Sequence, residues 1–174
     1  MDQMKEIIHS TAIAYFLSYK CLIDKHIEVC NFYSDYFSAY FVPAITTAAF
    51  SCELALKNIL HSEKGKTPRG HDLYKLFNQL NQQTRKDIME RTIQAYNCKA
   101  EILSVTSRIS EKDFFILLNL HKDTFTIWRY FYEGTPNLDL DFIEALMFCL
   151  NSKDDNYISY INYQLALRKN NNKS

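Results

Sequence analysis

Apolar side chains recur at three- and four-residue steps along most of this chain. Ile7, Ile8, Ala12, Tyr15, Phe16 and Tyr19 do so within residues 3 to about 28, which hold neither glycine nor proline, and they predict a first helix. From Phe32 onward, Tyr33, Tyr36, Phe37, Tyr40 and Phe41 place five rings on one helical side. Core or oligomer packing is the common use of such a stripe; base stacking is the other. Pro43 lacks an amide donor, so it either kinks this segment or opens a fresh helix over about 42–63. Ser62 to Gly70 is charged and holds two of the three glycines, which marks a loop too short to link domains. Asp72 then caps a helix striped by Leu73, Leu76, Phe77 and Leu80.

Two hydroxyl-to-carboxylate spacings, Thr84 to Asp87 and Ser110 to Asp113, read as capping boxes that open helices near 85–97 and 111–133. Glu133-Gly134-Thr135-Pro136 supplies a glycine stop and a residue that cannot continue a helix. Ile143, Leu146, Met147 and Leu150 predict another helix, and Tyr157, Ile161 and Leu165 either prolong it or form a last one.

Composition agrees with an all-α class. Apolar residues make up 47% and aromatics 14% of 174 residues, with three glycines and three prolines, which suits long helices better than a turn-rich sheet. The length predicts one domain over residues 1–169, followed by an Asn-rich frayed tail at 170–174. Twenty basic residues balance twenty acidic ones, so any nucleic-acid contact must be local rather than driven by a global positive field. The five cysteines are scattered without a C-x-x-C pair, which fits reduced thiols; no metal site and no cofactor motif is read. Glu6, His9 and Ser10 interrupt the N-terminus early, so no export signal is expected. Uninterrupted apolar runs stop well short of the ~20 residues that cross a bilayer. The expectation is a cytoplasmic protein without a membrane partner.

Three segments carry more than periodicity. They are Phe41-Val42-Pro43-Ala44-Ile45 followed by Ala49 to Leu60 with its Glu-Leu-Ala-Leu-Lys core, then Gly70-His71-Asp72-Leu73-Tyr74-Lys75-Leu76-Phe77, and then Phe125 to Glu133 with Trp128-Arg129-Tyr130-Phe131-Tyr132-Glu133. In this order, over residues 41 to 133, they resemble the HEPN superfamily (higher eukaryotes and prokaryotes nucleotide-binding) and its group with a W-R-Y-x-Y-E segment. The resemblance implies a bundle of four to five main helices plus short C-terminal helices, a homodimer with its functional groove along the seam, and action on RNA or nucleotides in a bacterial toxin or antiphage setting. Relatives also sit beside a small nucleotidyltransferase. The alternative is therefore a non-catalytic module that binds a partner protein such as a nucleotidyltransferase or an effector. The ribonuclease branch places a His four to six residues after an Arg, and none of the six arginines here has one, so a metal-independent ribonuclease is left open.

The candidate site follows. Arg129 offers a cation for phosphate, and Tyr132 and Glu133 could move a proton, with Tyr130 beside them. The plainer reading is a structural Arg129–Glu133 ion pair one turn apart. Glu53 and Lys57 sit one turn apart on an otherwise apolar helix; they either pair at the surface edge, worth ~0.3–0.5 kcal/mol, or Glu53 reaches across and orients Arg129. His71 opens a helix where free amides favour an anion, although a His there more often packs on a neighbour. Lys57 and His71 thus join Tyr130 as nucleotide- or RNA-binding candidates. Lys64, Lys66 and Arg69 make a small basic loop whose ordinary explanation is solvation. His9, His26, His61 and His121 have no companions at ligand spacing and receive no role. The helix with the Glu-Leu-Ala-Leu-Lys stretch and the one opening at Gly-His-Asp are expected to lie antiparallel and hold the Trp-Arg-Tyr segment.

Overall fold

The structure is a computed structural model that describes residues 3–30, 37–104, 108–130, 137–152 and 155–171. Among them are eight helices and no strand: α1 (Gln3–Cys30), α2 (Phe37–Lys64), α3 (Leu73–Asn78), α4 (Gln82–Ile102), α5 (Glu111–Leu120), α6 (Thr124–Arg129), α7 (Leu140–Asn151) and α8 (Asp155–Asn171). Five are long, as an all-α bundle requires. The short ones are α3, α5 and α6, inside the chain rather than at its C-terminal end, where α8 runs for 17 residues and includes Asn170 and Asn171 of the expected tail.

α1 and α2 form an antiparallel hairpin. Ser51 donates to the Ala12 carbonyl, Tyr15 meets Phe50 edge-on and His26 faces Phe41, so one helix descends as the other climbs. Ala44, Ala48 and Cys52 are fully buried one turn apart on α2. Such small side chains let a neighbour approach closely, and α7 does so, with Cys52 Sγ 3.9 Å from the Ile143 carbonyl. α7 is the central helix, buried continuously from Phe142 to Cys149 and packed by α1, α2, α4 and α8. Pro43 neither ends nor starts α2, which continues past it on both sides. Two turn-back hydroxyl bonds, Thr46 to Val42 O and Thr47 to Pro43 O, engage carbonyls around the missing donor. The Ala39–Lys64 part of α2 is long and apolar enough on average to cross a membrane; half of the qualifying window is buried inside the bundle.

α2 ends where Gly65, at φ +68°, donates to the His61 carbonyl, a left-handed stop that glycine allows cheaply. The chain then runs back along α2 before α3 begins. His71 lies against Glu53, and Asn81 against Glu63, so α3 follows the same sense as α2. The expected antiparallel pairing is thus wrong: residues 65–72 return over about ten residues of helix, ~15 Å, and reset the direction.

Three boundaries also differ. α4 is capped by Asn81, three residues before Thr84, because Glu63 holds the Asn81 amide and side chain as well as the Thr84 hydroxyl. The expected 111–133 helix is divided at residues 121–123 into α5 and α6. The cause is His121, fully buried, whose ring bonds Thr124 Oγ1 through Nδ1 and accepts the Asp139 amide at Nε2. Ser152 closes α7, so Tyr157, Ile161 and Leu165 belong to a separate helix. The Ser110–Asp113 capping box is present as read. The proposed stop at 133–136, most of the aromatic stripe from Tyr33 to Tyr36, and residues 172–174 lie outside the described residues.

Candidate functional site

Glu53 is the anchor. It stands in the middle of α2 at 1% side-chain exposure, where an unpaired carboxylate would be costly to desolvate. Two donors reach it. Lys57, one turn on and 13% exposed, donates Nζ to Oε1 at 2.7 Å, and His71 places Nδ1 at 3.0 Å from Oε1 and 2.9 Å from Oε2. The pair is therefore interior and not the surface-edge pair expected from spacing.

Gly70, at φ +96°, turns the loop so that the next residue lies over α2. The His71 side chain stays 56% exposed even with its Nδ1 edge against a buried acid. The amides offered to an anion at this helix start are largely engaged. Leu73 donates to the Lys122 carbonyl at 2.9 Å, and Lys75 donates to the Asp72 side chain at 2.8 Å. Any anion here would therefore meet side chains, not a helix end.

α6 closes the site from the other side. Its Phe125 stacks on Phe50 of α2 at 4.4 Å between centroids and 18° between planes, and its ring lies 5.5 Å from that of His71. Arg129, one turn further and exposed, sets its guanidinium carbon 5.3 Å from the Phe125 centroid and 5.8 Å from that of Tyr130. Trp128 points the opposite way, 5% exposed, toward Phe41.

The structure thus brings Glu53, Lys57, His71, Phe125, Arg129 and Tyr130 onto one face spanning α2, the 65–72 loop and α6. The Glu53 contacts go to Lys57 and His71 and not to Arg129; what seats the guanidinium is Phe125, which sequence spacing did not single out. Its position one turn before Arg129 was the available signal. Tyr132 and Glu133 lie outside the described residues, and α6 ends at Arg129. Lys64, Lys66 and Arg69 are solvent-exposed. The face is open, and three clefts lie away from it. The first, about 120 Å³, is lined by Arg91, Cys98, Cys149 and Tyr157 among others. The second, about 460 Å³, lies beside Lys99, Asp141 and Glu144. The third lies between Lys20 and Tyr160.

That second cleft borders a buried charge network that no periodicity signalled. Glu144 on α7, 1% exposed, accepts from the Tyr19 hydroxyl, from Lys99 at 2.7 Å and from the Tyr157 hydroxyl at 3.0 Å. Lys99 also pairs with Asp141 at 2.8 Å. Burial pulls the Lys99 ammonium down, but the two carboxylates more than offset this and raise it overall. Burial, with Glu144 adding to it, pushes both the Tyr19 and the Tyr157 phenol well up. Every arm of Glu144 is occupied, so the network reads as a brace between α1, α4, α7 and α8. Among the described residues no group of acids, histidines and cysteines is arranged to hold a metal ion. No family model, curated protein or solved structure matches the chain.

Proposed function

We propose that this chain is a HEPN-like protein that binds or acts on RNA or nucleotides through the face around Arg129, in a bacterial toxin or antiphage setting and as a homodimer. One observation supports this above the others: an exposed, ring-seated guanidinium and a half-exposed imidazole share a face with the buried Glu53–Lys57 pair. That layout turns the Arg129 guanidinium outward while Lys57 neutralises the buried acid, which suits a phosphate-bearing ligand in a chain of zero net charge.

The test is fluorescence anisotropy with short single-stranded RNA and with nucleotides, for the native protein and Arg129→Ala. Arg129 is exposed and rests on the Phe125 and Tyr130 rings among the described residues, so the variant should melt within a degree or two of the parent while losing about tenfold in affinity, with a salt slope shallower by about one. Equal affinities would remove the site. Sedimentation of the same samples tests the dimer.

A second reading, a non-catalytic module docking a partner protein, is favoured by the exposed Phe115, Ile116 and Leu120 of α5 and Ile127 of α6. Co-purification of a companion chain that is lost on Ile116→Glu would favour it.

A further inference from the structure

We propose that the cleft beside Lys99, Asp141 and Glu144 is a second ligand site, which takes a small monocarboxylic acid with its carboxylate on Arg168 and its hydrocarbon body against Ile27, Phe41, Leu103 and Leu140. The inference stands apart from the face around Arg129 and does not depend on it.

The cleft lies at one end of the bundle, where α1, α4 and α8 finish and α2 and α7 begin, so five helices line one space. Its volume of about 460 Å³ falls within the ~300–1,000 Å³ of small-molecule sites. The lining sorts by chemistry. Ile23 and Ile27 are buried, and Phe41, Leu103 and Leu140 half-buried, which gives an apolar wall from α1, α2, α4 and α7. Lys99 and Glu144 form a buried charged floor with Asp141 at its edge. Arg168 of α8 and His26 of α1 complete the lining.

The charges decide what fits. The floor is closed on itself, because Lys99 gives one donor to Glu144 at 2.7 Å and one to Asp141 at 2.8 Å, and Glu144 also takes the Tyr19 and Tyr157 hydroxyls. Arg168 differs. It is exposed, and among the described residues no carboxylate or carbonyl pairs with it. Its neighbour in the cleft is His26, whose imidazole is held below its usual value by burial first and by the guanidinium second. The ring is therefore neutral near pH 7 and leaves Arg168 as the unmatched cation. A guanidinium presents a planar fork that fits a carboxylate.

The same lining rejects other anions. On the floor two carboxylates face one ammonium, and Arg168 brings the cleft to balance. One negative charge is matched by the guanidinium. A phosphate monoester, with about two, would place surplus charge near the half-exposed Asp141. A bare inorganic anion would leave the apolar wall wet, whereas a short hydrocarbon chain or ring covers it.

Titration calorimetry on the full chain tests this with hexanoate and 3-phenylpropanoate, against hexanamide, AMP and inorganic phosphate. Both acids should bind, and the three comparison compounds should bind about tenfold more weakly or not at all. Arg168→Gln, at an exposed position, should keep the melting temperature and lose about tenfold in affinity for both acids. Leu103→Trp, which fills the apolar wall, should remove acid binding, while Arg129→Ala should leave it unchanged. The His26 ring resonances should move when acid is added to the native protein and stay in place for Arg168→Gln. No binding of either acid, equal affinity for hexanamide, a preference for AMP, or native affinity in Arg168→Gln would each overturn the proposal. None of these results bears on RNA binding at the Arg129 face, which is measured separately.

Discussion

The ring of His121 accepts the backbone amide of Asp139 at Nε2, 3.1 Å away and 18 residues on, and so joins the α5–α6 turn to the start of α7. Asp139 in turn caps α7 through the Phe142 amide. Burial pushes His121 down to about 4, because a charged imidazole would lose both its solvent and its acceptor role. Its folded value lies below its unfolded one, so protons bind the unfolded chain more tightly. The associated stability is complete above pH 6.5 and is lost as pH falls toward 4, by roughly 3 kcal/mol. Urea midpoints between pH 7 and 4.5 should show this slope, and His121→Gln, which keeps an acceptor but cannot charge, should flatten it.

Removing one side of the Glu144 network should be severe. Glu144→Leu strands Lys99 beside a half-exposed Asp141 and leaves two buried phenols without an acceptor, at a cost of about 3–5 kcal/mol. The Glu144→Leu/Lys99→Met double variant should be less destabilised than the two single losses combined. A double-mutant cycle by denaturant unfolding checks it, and simple additivity would refute the brace.

Phe125→Leu should act on binding rather than folding. The ring seats Arg129 and is only partly buried, so ligand affinity should fall about three- to tenfold as the guanidinium loses its platform, with a small change in melting temperature. The single tryptophan, Trp128, is buried on the other side of α6 against Phe41, and its fluorescence checks that the variant keeps its fold.

Ser110→Ala removes one half of a complete capping box and should cost about 1 kcal/mol. Thr84→Ala removes no cap, since Asn81 holds that position; its loss should trace to the Glu63 bond instead. Thermal melts of the two variants and Asn81→Ala separate these cases.

These residues also show what the sequence could and could not reveal. The all-helical class and the apolar stripes were legible because they depend on neighbours three and four positions apart, as for Leu73, Leu76 and Phe77. The Glu53–Lys57 pairing was legible from their one-turn spacing, but its burial and the approach of His71 in place of Arg129 were not, since they depend on the path of the 65–72 loop. The direction of α3 was not legible, since it turns on how far the 65–72 loop runs back. Nor was the division at His121, which depends on an amide 18 residues away. The Tyr19–Glu144 bond spans 125 positions, and α7 reads simply as apolar around its acid.

The bond from the Leu73 amide to the Lys122 carbonyl joins the loop that presents the imidazole to the turn that launches α6. A shift of one register at residues 121–123 would therefore carry the guanidinium and drag the base of the histidine loop with it. The two groups thus share one backbone anchor, and a substitution at that turn would disturb both together.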